Sequence, residues 1–188
     1  MKSRLIVLFL IVTAGLILAE EQTGISVTNL PSSWGLALAA FGAAISVFLA
    51  GIGSSMGIGL SASAAAGVMS ENPAGFGRYL VLIALPGTQG IYGFVAAFLI
   101  LQRIGAFKGP LKAITPDQGW YFFFAALPVA FACFLSAVYQ GKVCANGIYM
   151  VAKQSKESGK AIVMGVFVEF YAVLGLLVSF FLINAVKM

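Results

Sequence analysis

Four long apolar segments divide the chain after residue 33. They cover residues 34 to about 69, 79–101, 120 to about 152, and 161 to about 185. Each is long enough for the roughly 20 apolar residues that a transmembrane helix needs. The first and third exceed that length, so we expect their ends to project into water. The pattern predicts an all-α membrane protein with four transmembrane helices.

Short polar turns join these segments in pairs. Residues 70–78 (SENPAGFGR) link the first to the second, and residues 153–160 (KQSKESGK) link the third to the fourth. A longer segment, 102–119, connects the two pairs. We therefore expect two tandem helical hairpins, at 33–101 and 120–188, separated by a connecting segment at 102–119.

The two hairpins resemble an internal repeat. An offset of 86 in residue number aligns Trp34 with Trp120 and Glu71 with Glu157, and beyond the turns an offset of 82 aligns Gly93 with Gly175. Sequence identity is low, so the shared hairpin organisation carries more weight than any single match. We interpret the chain as two parallel copies of one hairpin.

Residues 1–22 form a segment of another kind. Lys2 and Arg4 precede an apolar run that ends at Glu20 and Glu21. The run is short for a membrane span, which favours a cleaved signal peptide, and a retained anchor is the alternative. Neither changes the topology predicted for the remaining chain.

Composition excludes an ordinary soluble enzyme. Hydrophobic residues make up 61% of the chain and charged residues 9%, with a mean hydropathy of +1.01. A soluble domain carries about 25% charged residues. The sequence also has no histidine for acid–base chemistry near neutral pH. Composition and segment pattern together place the chain in a lipid bilayer.

The net charge of +5 indicates membrane orientation and not a surface for nucleic acid. With both hairpin turns in the cytoplasm, seven basic residues lie inside and four outside. The inside set is Lys2, Arg4, Arg78, Lys142, Lys153, Lys156 and Lys160, and the outside set is Arg103, Lys108, Lys112 and Lys187. This bias favours cytoplasmic turns, although the KQSKESGK turn is equally typical of a solvated loop without a partner.

One carboxylate lies where a bilayer does not tolerate it. Five of the six acidic residues are in termini or loops, but Glu169 is about a third of the way along the fourth apolar segment, with no basic residue near it in sequence. A charge at mid-bilayer costs at least about 2.5–3.5 kcal/mol, so the carboxylate needs a proton or a cation. We predict that Glu169 carries an ion, and a protonated glutamate that only bridges helices is the alternative.

The second segment contains a predicted break at residues 85–94 (LPGTQGIYGF). Pro86 has no amide hydrogen, which frees carbonyls of the preceding turn. Four residues follow i, i+3, i+4, i+7 spacing and so share a helix face: Leu85, Thr88, Gln89 and Tyr92. They offer a carbonyl, a hydroxyl, an amide oxygen and a phenol, which are oxygen ligands for a hard cation. Hydrogen bonding between helices is the alternative role.

Two further features concern the first and third segments. Gln140 is a lone amide in a mostly apolar stretch, where it supplies either one more oxygen ligand or a contact between helices. The run AGIGSSMGIGLSASAAAG at 50–67 is not a phosphate loop, because no strand precedes it and no lysine follows in the required place. Its small residues predict close helix packing in an inner ring of helices.

Together these residues closely resemble the proteolipid, known as the K or c subunit, of rotary ATPases of the vacuolar or archaeal type. The duplicated hairpin, the single carboxylate Glu169 and the LPGTQGIYG motif followed by Gln140 carry the resemblance over nearly all of residues 33–188. For the sodium-coupled branch, the resemblance implies five ligands: Leu85, Thr88, Gln89, Gln140 and Glu169. It also implies that Tyr92 hydrogen-bonds Glu169 and locks the occupied site.

The resemblance further implies what surrounds the chain. A homo-oligomeric ring would carry Na⁺, or alternatively H⁺, across the membrane of a prokaryotic cell, past a stator subunit with an essential arginine. Central-stalk subunits would dock on the cytoplasmic turns, lipid would surround the ring, and ATP chemistry would belong to other subunits. A four-helix channel or junction protein is the alternative from another class. It should show polar residues all along one helix face, whereas here they gather at one depth.

Overall fold

Four long helices make up the described part of the chain, in a computed structural model that describes residues 34–71, 73–107 and 109–188. They are α1 (Trp34–Glu71), α2 (Phe76–Arg103), α3 (Pro116–Lys153) and α4 (Ser158–Ala185). A 3₁₀ turn, Leu85–Gly87, interrupts α2, and the 3₁₀ turns Pro73–Gly75 and Ser155–Glu157 precede α2 and α4. The signal peptide or anchor predicted at 1–22 lies outside the described residues.

The helices have the length and composition of membrane spans. All four are long and apolar enough to cross a bilayer. Because α1 and α3 contain 38 residues each, they extend about 57 Å and exceed a hydrocarbon core of about 30 Å. Among the described residues no strand occurs. The predicted all-α, multi-pass membrane fold is confirmed.

Helix α3 begins before the apolar segment that predicted it. Its first residue is Pro116, ahead of Trp120 by about one turn, because Thr115 and Gln118 form a capping box. The Gln118 amide donates to Thr115 Oγ1 at 3.3 Å, and the Thr115 amide donates to Gln118 Oε1 at 3.0 Å. These bonds satisfy donors that a bare helix start leaves unpaired. The helix therefore extends into the polar connecting segment.

The helix boundaries of the first hairpin recur in the second at a constant offset of 82 in residue number, and only the 3₁₀ turn Leu85–Gly87 has no equivalent in α4. Trp34 and Pro116 begin α1 and α3, and the same offset relates their ends, the 3₁₀ turns before α2 and α4, and both ends of α2 and α4. Two residues at this offset are called repeat counterparts below. The predicted offset of 82 beyond the turns is correct.

The offset of 86 predicted for the first helices is wrong by about one helical turn. In alanine-rich helices a slide of one turn keeps the same residues on the same face. The match of Trp34 to Trp120 therefore does not determine which residues of α1 and α3 correspond.

Both hairpin turns lie at the same end of the bundle. One hydrophobic cluster near the turns includes Ala65, Ile148 and Ala161. Another, toward the opposite end, includes Leu36 and Ile183. The two hairpins are therefore parallel, as the sequence predicted.

Glycines bring α1 against α3 at backbone distance. A Cβ built on Gly53 would lie 2.6 Å from the Cα of Phe134, and one built on Gly57 would meet the backbone of α3 one turn further on. The same glycine run also contains Gly51 and Gly59, where no described atom lies within 4 Å of a built Cβ. The predicted role in helix packing is thus met inside the chain by Gly53 and Gly57, while the other two glycines face outward.

We expect Gly53→Ala to destabilise the protein, because the added methyl group meets backbone that has no rotamer to change. Overpacking of this kind costs about 1–3 kcal/mol. The measurement is thermal denaturation of the detergent-purified protein. Gly67→Ala is the matched control, since its Cβ would meet no described atom within 4 Å. Equal melting temperatures for the two variants would contradict the close approach.

Candidate ion-binding site

The break in α2 is held by a neighbouring helix. Its 3₁₀ turn contains Pro86. Beyond it, the amide of Gly90 donates to Ser54 Oγ on α1 at 2.7 Å. Thr88 Oγ1 lies 3.0 Å from the carbonyl oxygen of Leu85. The predicted break is confirmed, and the Thr88 hydroxyl lies beside the carbonyl three residues before it.

Glu169 is the acceptor at the centre of a polar group formed by three helices. Thr88 Oγ1 and Tyr92 Oη, both on α2, lie 2.7 Å and 2.6 Å from its Oε1. Gln140 Nε2, on α3, lies 3.4 Å from its Oε2. The side chain is half-buried in the single chain. Two hydroxyls and an amide thus compensate a carboxylate that has no cation nearby in sequence.

Thr88 is the point where the oxygens converge. Besides Leu85 O and Glu169 Oε1, its Oγ1 lies 3.4 Å from Gln89 Oε1. A hydroxyl has a single proton, so it donates to one of these three acceptors, and Glu169 Oε1 is the nearest. The oxygens of four of the five predicted ligands therefore lie at or around this hydroxyl: Leu85, Thr88, Gln89 and Glu169.

The fifth predicted ligand, Gln140, presents its nitrogen to the carboxylate. Its Nε2 also donates to Gly165 O at 3.0 Å, while its Oε1 accepts from Gln89 Nε2 at 2.6 Å. Both glutamine side chains are fully buried. In this arrangement Gln140 is a hydrogen-bond donor to Glu169, and its oxygen faces the neighbouring glutamine.

Ser136 belongs to the site although the sequence analysis did not select it. Its Oγ donates to the carbonyl of Val168 on α4 at 2.9 Å and accepts from Gln89 Nε2 at 3.4 Å. Its place one turn before Gln140, on the same helix face, was the available signal. Its repeat counterpart is Ser54, the residue that holds the α2 break.

The repeat contains only one such group of polar side chains. The repeat counterpart of Glu169 is Gly87, and the counterparts of Thr88 and Gln89 are Phe170 and Tyr171. The position that the repeat relates to this site, where Gly87 stands in place of Glu169, thus has neither the carboxylate nor its oxygen partners. Among the described residues, polar side chains therefore surround a carboxylate at one of these two repeat-related positions.

Comparison with known sequences identifies the family. The profile of the family of ATP synthase C subunits matches residues 41–100 and 123–182, more than half of the chain. This chain belongs to the ATP synthase C-subunit family. The two matched ranges are related by the same offset as the helix boundaries.

Two relatives support the assignment. The chain is 41% identical to the V-type sodium ATPase subunit K of Enterococcus hirae over 149 residues, which are 79% of this chain and 92% of that protein. It is 40% identical to the A-type ATP synthase subunit K of Methanocaldococcus jannaschii over 151 residues, which are 80% of this chain and 64% of that protein. The predicted membership of the rotary-ATPase proteolipids, which form rotor rings, is confirmed.

We expect Tyr92→Phe to speed the labelling of Glu169 by a hydrophobic carbodiimide, because the hydroxyl that covers Oε1 is removed. A hydrogen bond to a charged group contributes about 1.5–3 kcal/mol, so the rate should rise about tenfold or more. Mass spectrometry of the Na⁺-free ring at fixed pH follows the labelled fraction. Tyr171→Phe is the control, because its side chain is 69% exposed. No change in Tyr92→Phe, or an equal change in the control, would contradict this role.

Proposed function

We propose that this proteolipid carries Na⁺ across the membrane on Glu169 as its ring rotates, with Leu85, Thr88, Gln89 and Gln140 as the other ligands. The observation that carries the proposal is the convergence of oxygens from α2 and α4 on Thr88. A carboxylate with carbonyl, hydroxyl and amide oxygens is a donor set for a hard cation.

The donor set favours Na⁺ over H⁺. A proton needs only the carboxylate, whereas Na⁺ needs several oxygens, and Leu85 O and Gln89 Oε1 lie beside the same hydroxyl as Glu169 Oε1. The Enterococcus hirae relative is a subunit of a V-type sodium ATPase, which supports the same ion. A ring coupled to H⁺ is the alternative, and it would use Glu169 alone.

Gln140 can supply its oxygen by turning its terminal amide. Its Oε1 accepts from Gln89 Nε2 and its Nε2 faces Glu169, so the amide must turn for the oxygen to face the ion. Gln89 keeps its Oε1 beside Thr88, where that oxygen is a proposed ligand, and its Nε2 retains Ser136 Oγ as an acceptor. We propose that Gln140 turns alone when the ion binds.

The order of steps in the proposed transport cycle follows from the cost of exposing a charged carboxylate to lipid. Na⁺ neutralises Glu169, so the loaded site can face lipid at low cost. We propose that the ion leaves where a stator subunit presents an arginine, because the empty carboxylate is compensated there. A new ion then enters from the other side of the membrane. Tyr92 retains the bound ion between these events by holding the carboxylate.

The proposed orientation in the membrane determines where the other subunits would bind. We propose that the hairpin turns face the cytoplasm of a prokaryotic cell and contact central-stalk subunits. Of the basic residues assigned to that side, Arg78, Lys142, Lys153, Lys156 and Lys160 lie in the described chain. ATP hydrolysis or synthesis would take place on other subunits, and the ring would couple that chemistry to ion movement.

We expect Glu169→Gln to abolish Na⁺-stimulated ATP hydrolysis and Na⁺ transport in the assembled enzyme while the ring still forms. The amide keeps the size of the side chain and loses the charge that holds the ion. The measurements are Na⁺-dependent ATPase activity and ²²Na⁺ uptake in proteoliposomes. Asp117→Asn is the control, since this exposed carboxylate lies at the start of α3, far from the site. Substantial Na⁺-coupled hydrolysis in Glu169→Gln would disprove the proposal.

A further inference from the structure

We infer that Ser136 is a positioning residue for the ion site, because its hydroxyl determines that Gln89 presents an oxygen, and not a nitrogen, to the cation. The inference rests on the proposed function, in which Gln89 is one of the ligands. It gives a side chain outside the ligand set a part in the preference for Na⁺ over H⁺.

Two contacts determine the direction in which the Ser136 hydroxyl donates. Its Oγ lies 2.9 Å from the carbonyl oxygen of Val168 and 3.4 Å from Gln89 Nε2. A carbonyl can only accept and an amide nitrogen can only donate, so the single hydroxyl proton goes to Val168 and a lone pair faces Gln89. Ser136 is buried, so bulk water does not replace either partner.

The direction of this hydroxyl determines which end of the Gln89 amide faces the site. The nitrogen points to Ser136, and the oxygen therefore lies beside Thr88 Oγ1, at 3.4 Å. A reversed amide would bring its oxygen against the Ser136 oxygen, unless the serine gave up its bond to Val168. Gln89 is fully buried, so solvent would not replace a lost bond. Ser136 thus favours the orientation that a cation site needs.

The contribution of Ser136 is greatest when the ion is bound. In the structure Gln89 Nε2 has a second acceptor, Gln140 Oε1, at 2.6 Å. That acceptor is lost when Gln140 turns its oxygen toward the ion, as proposed for the loaded site. Of the two acceptors of Gln89 Nε2, Ser136 Oγ is then the one that remains. The loaded site therefore depends on this hydroxyl more than the empty site does.

The first hairpin has a serine acceptor of the same kind. The repeat counterpart of Ser136 is Ser54, whose Oγ accepts from the backbone amide of Gly90 at 2.7 Å. A backbone amide can only donate. Both serines therefore present an oxygen to a donor on α2, in one case a backbone amide and in the other the side chain of a proposed ligand.

Carbodiimide labelling of Glu169 in purified rings of the wild type and of Ser136→Ala tests this role. The substitution leaves the buried Gln89 nitrogen without an acceptor in the loaded site. The Na⁺ concentration that protects half of Glu169 from the reagent should therefore rise about tenfold or more. Labelling as a function of pH without Na⁺ should be unchanged, because proton binding needs only the carboxylate.

Ser179→Ala is the matched control. Ser179 is also a buried serine between α3 and α4, but its Oγ accepts from the Val129 amide at 3.0 Å, about 15 Å along α4 from Glu169. This variant should keep the Na⁺ requirement and the pH profile of the wild type.

The inference is wrong if Ser136→Ala needs no more Na⁺ than the wild type or the control. It is also wrong if the pH profile of Ser136→Ala moves as far as its Na⁺ requirement, because both would then report a general distortion of the site. A wild-type ring that Na⁺ does not protect at any pH would instead refute the proposed function, and the inference with it.

Discussion

A carboxylate in an apolar span must be compensated, and the arrangement of this chain's polar side chains follows from that constraint. Glu169 has no basic neighbour in sequence, and two other helices, α2 and α3, supply the groups that contact it. Each of these groups is neutral. A neutral shell compensates the charge only in part, as the proposed exchange of a cation requires, whereas a buried lysine or arginine would hold the carboxylate in a permanent ion pair.

Hydroxyl side chains position the backbone around this neutral shell. The Thr88 hydroxyl contacts the Leu85 carbonyl three residues back, as the Ser46 and Ser55 hydroxyls contact the carbonyls three residues before them in α1. Ser54 fixes the chain just beyond the 3₁₀ turn of α2, and Ser136 connects the α2 glutamine to the backbone of α4. Two serines related by the repeat thus hold the two helices that carry the site. Small residues between α1 and α3 let the helices approach closely, so that these hydroxyls reach their hydrogen-bond partners on α2 and α4.

The sequence predicted the four-helix fold and several of the side chains that lie close together around Glu169. Apolar segments and the spacing of residues 85, 88, 89 and 92 were sufficient for this, because each depends on local periodicity. The orientation inferred from charge bias and the role of these residues as ligands stay predictions. The orientation of Gln140 was not predictable, because it depends on the donors and acceptors contributed by other helices. Ser136 was overlooked for a similar reason: serines in membrane helices often bond only to their own backbone, as Ser55 does with Ile52 O at 2.9 Å.

The most direct test of the account is carbodiimide labelling of Glu169 in the purified ring, across pH, with and without Na⁺. If Na⁺ and H⁺ compete for this carboxylate, Na⁺ will protect it from the reagent, and more Na⁺ will be needed as the pH falls. That result is the one the account predicts. Labelling that depends on pH and is indifferent to Na⁺ at every pH would contradict a sodium site and establish a proton ring.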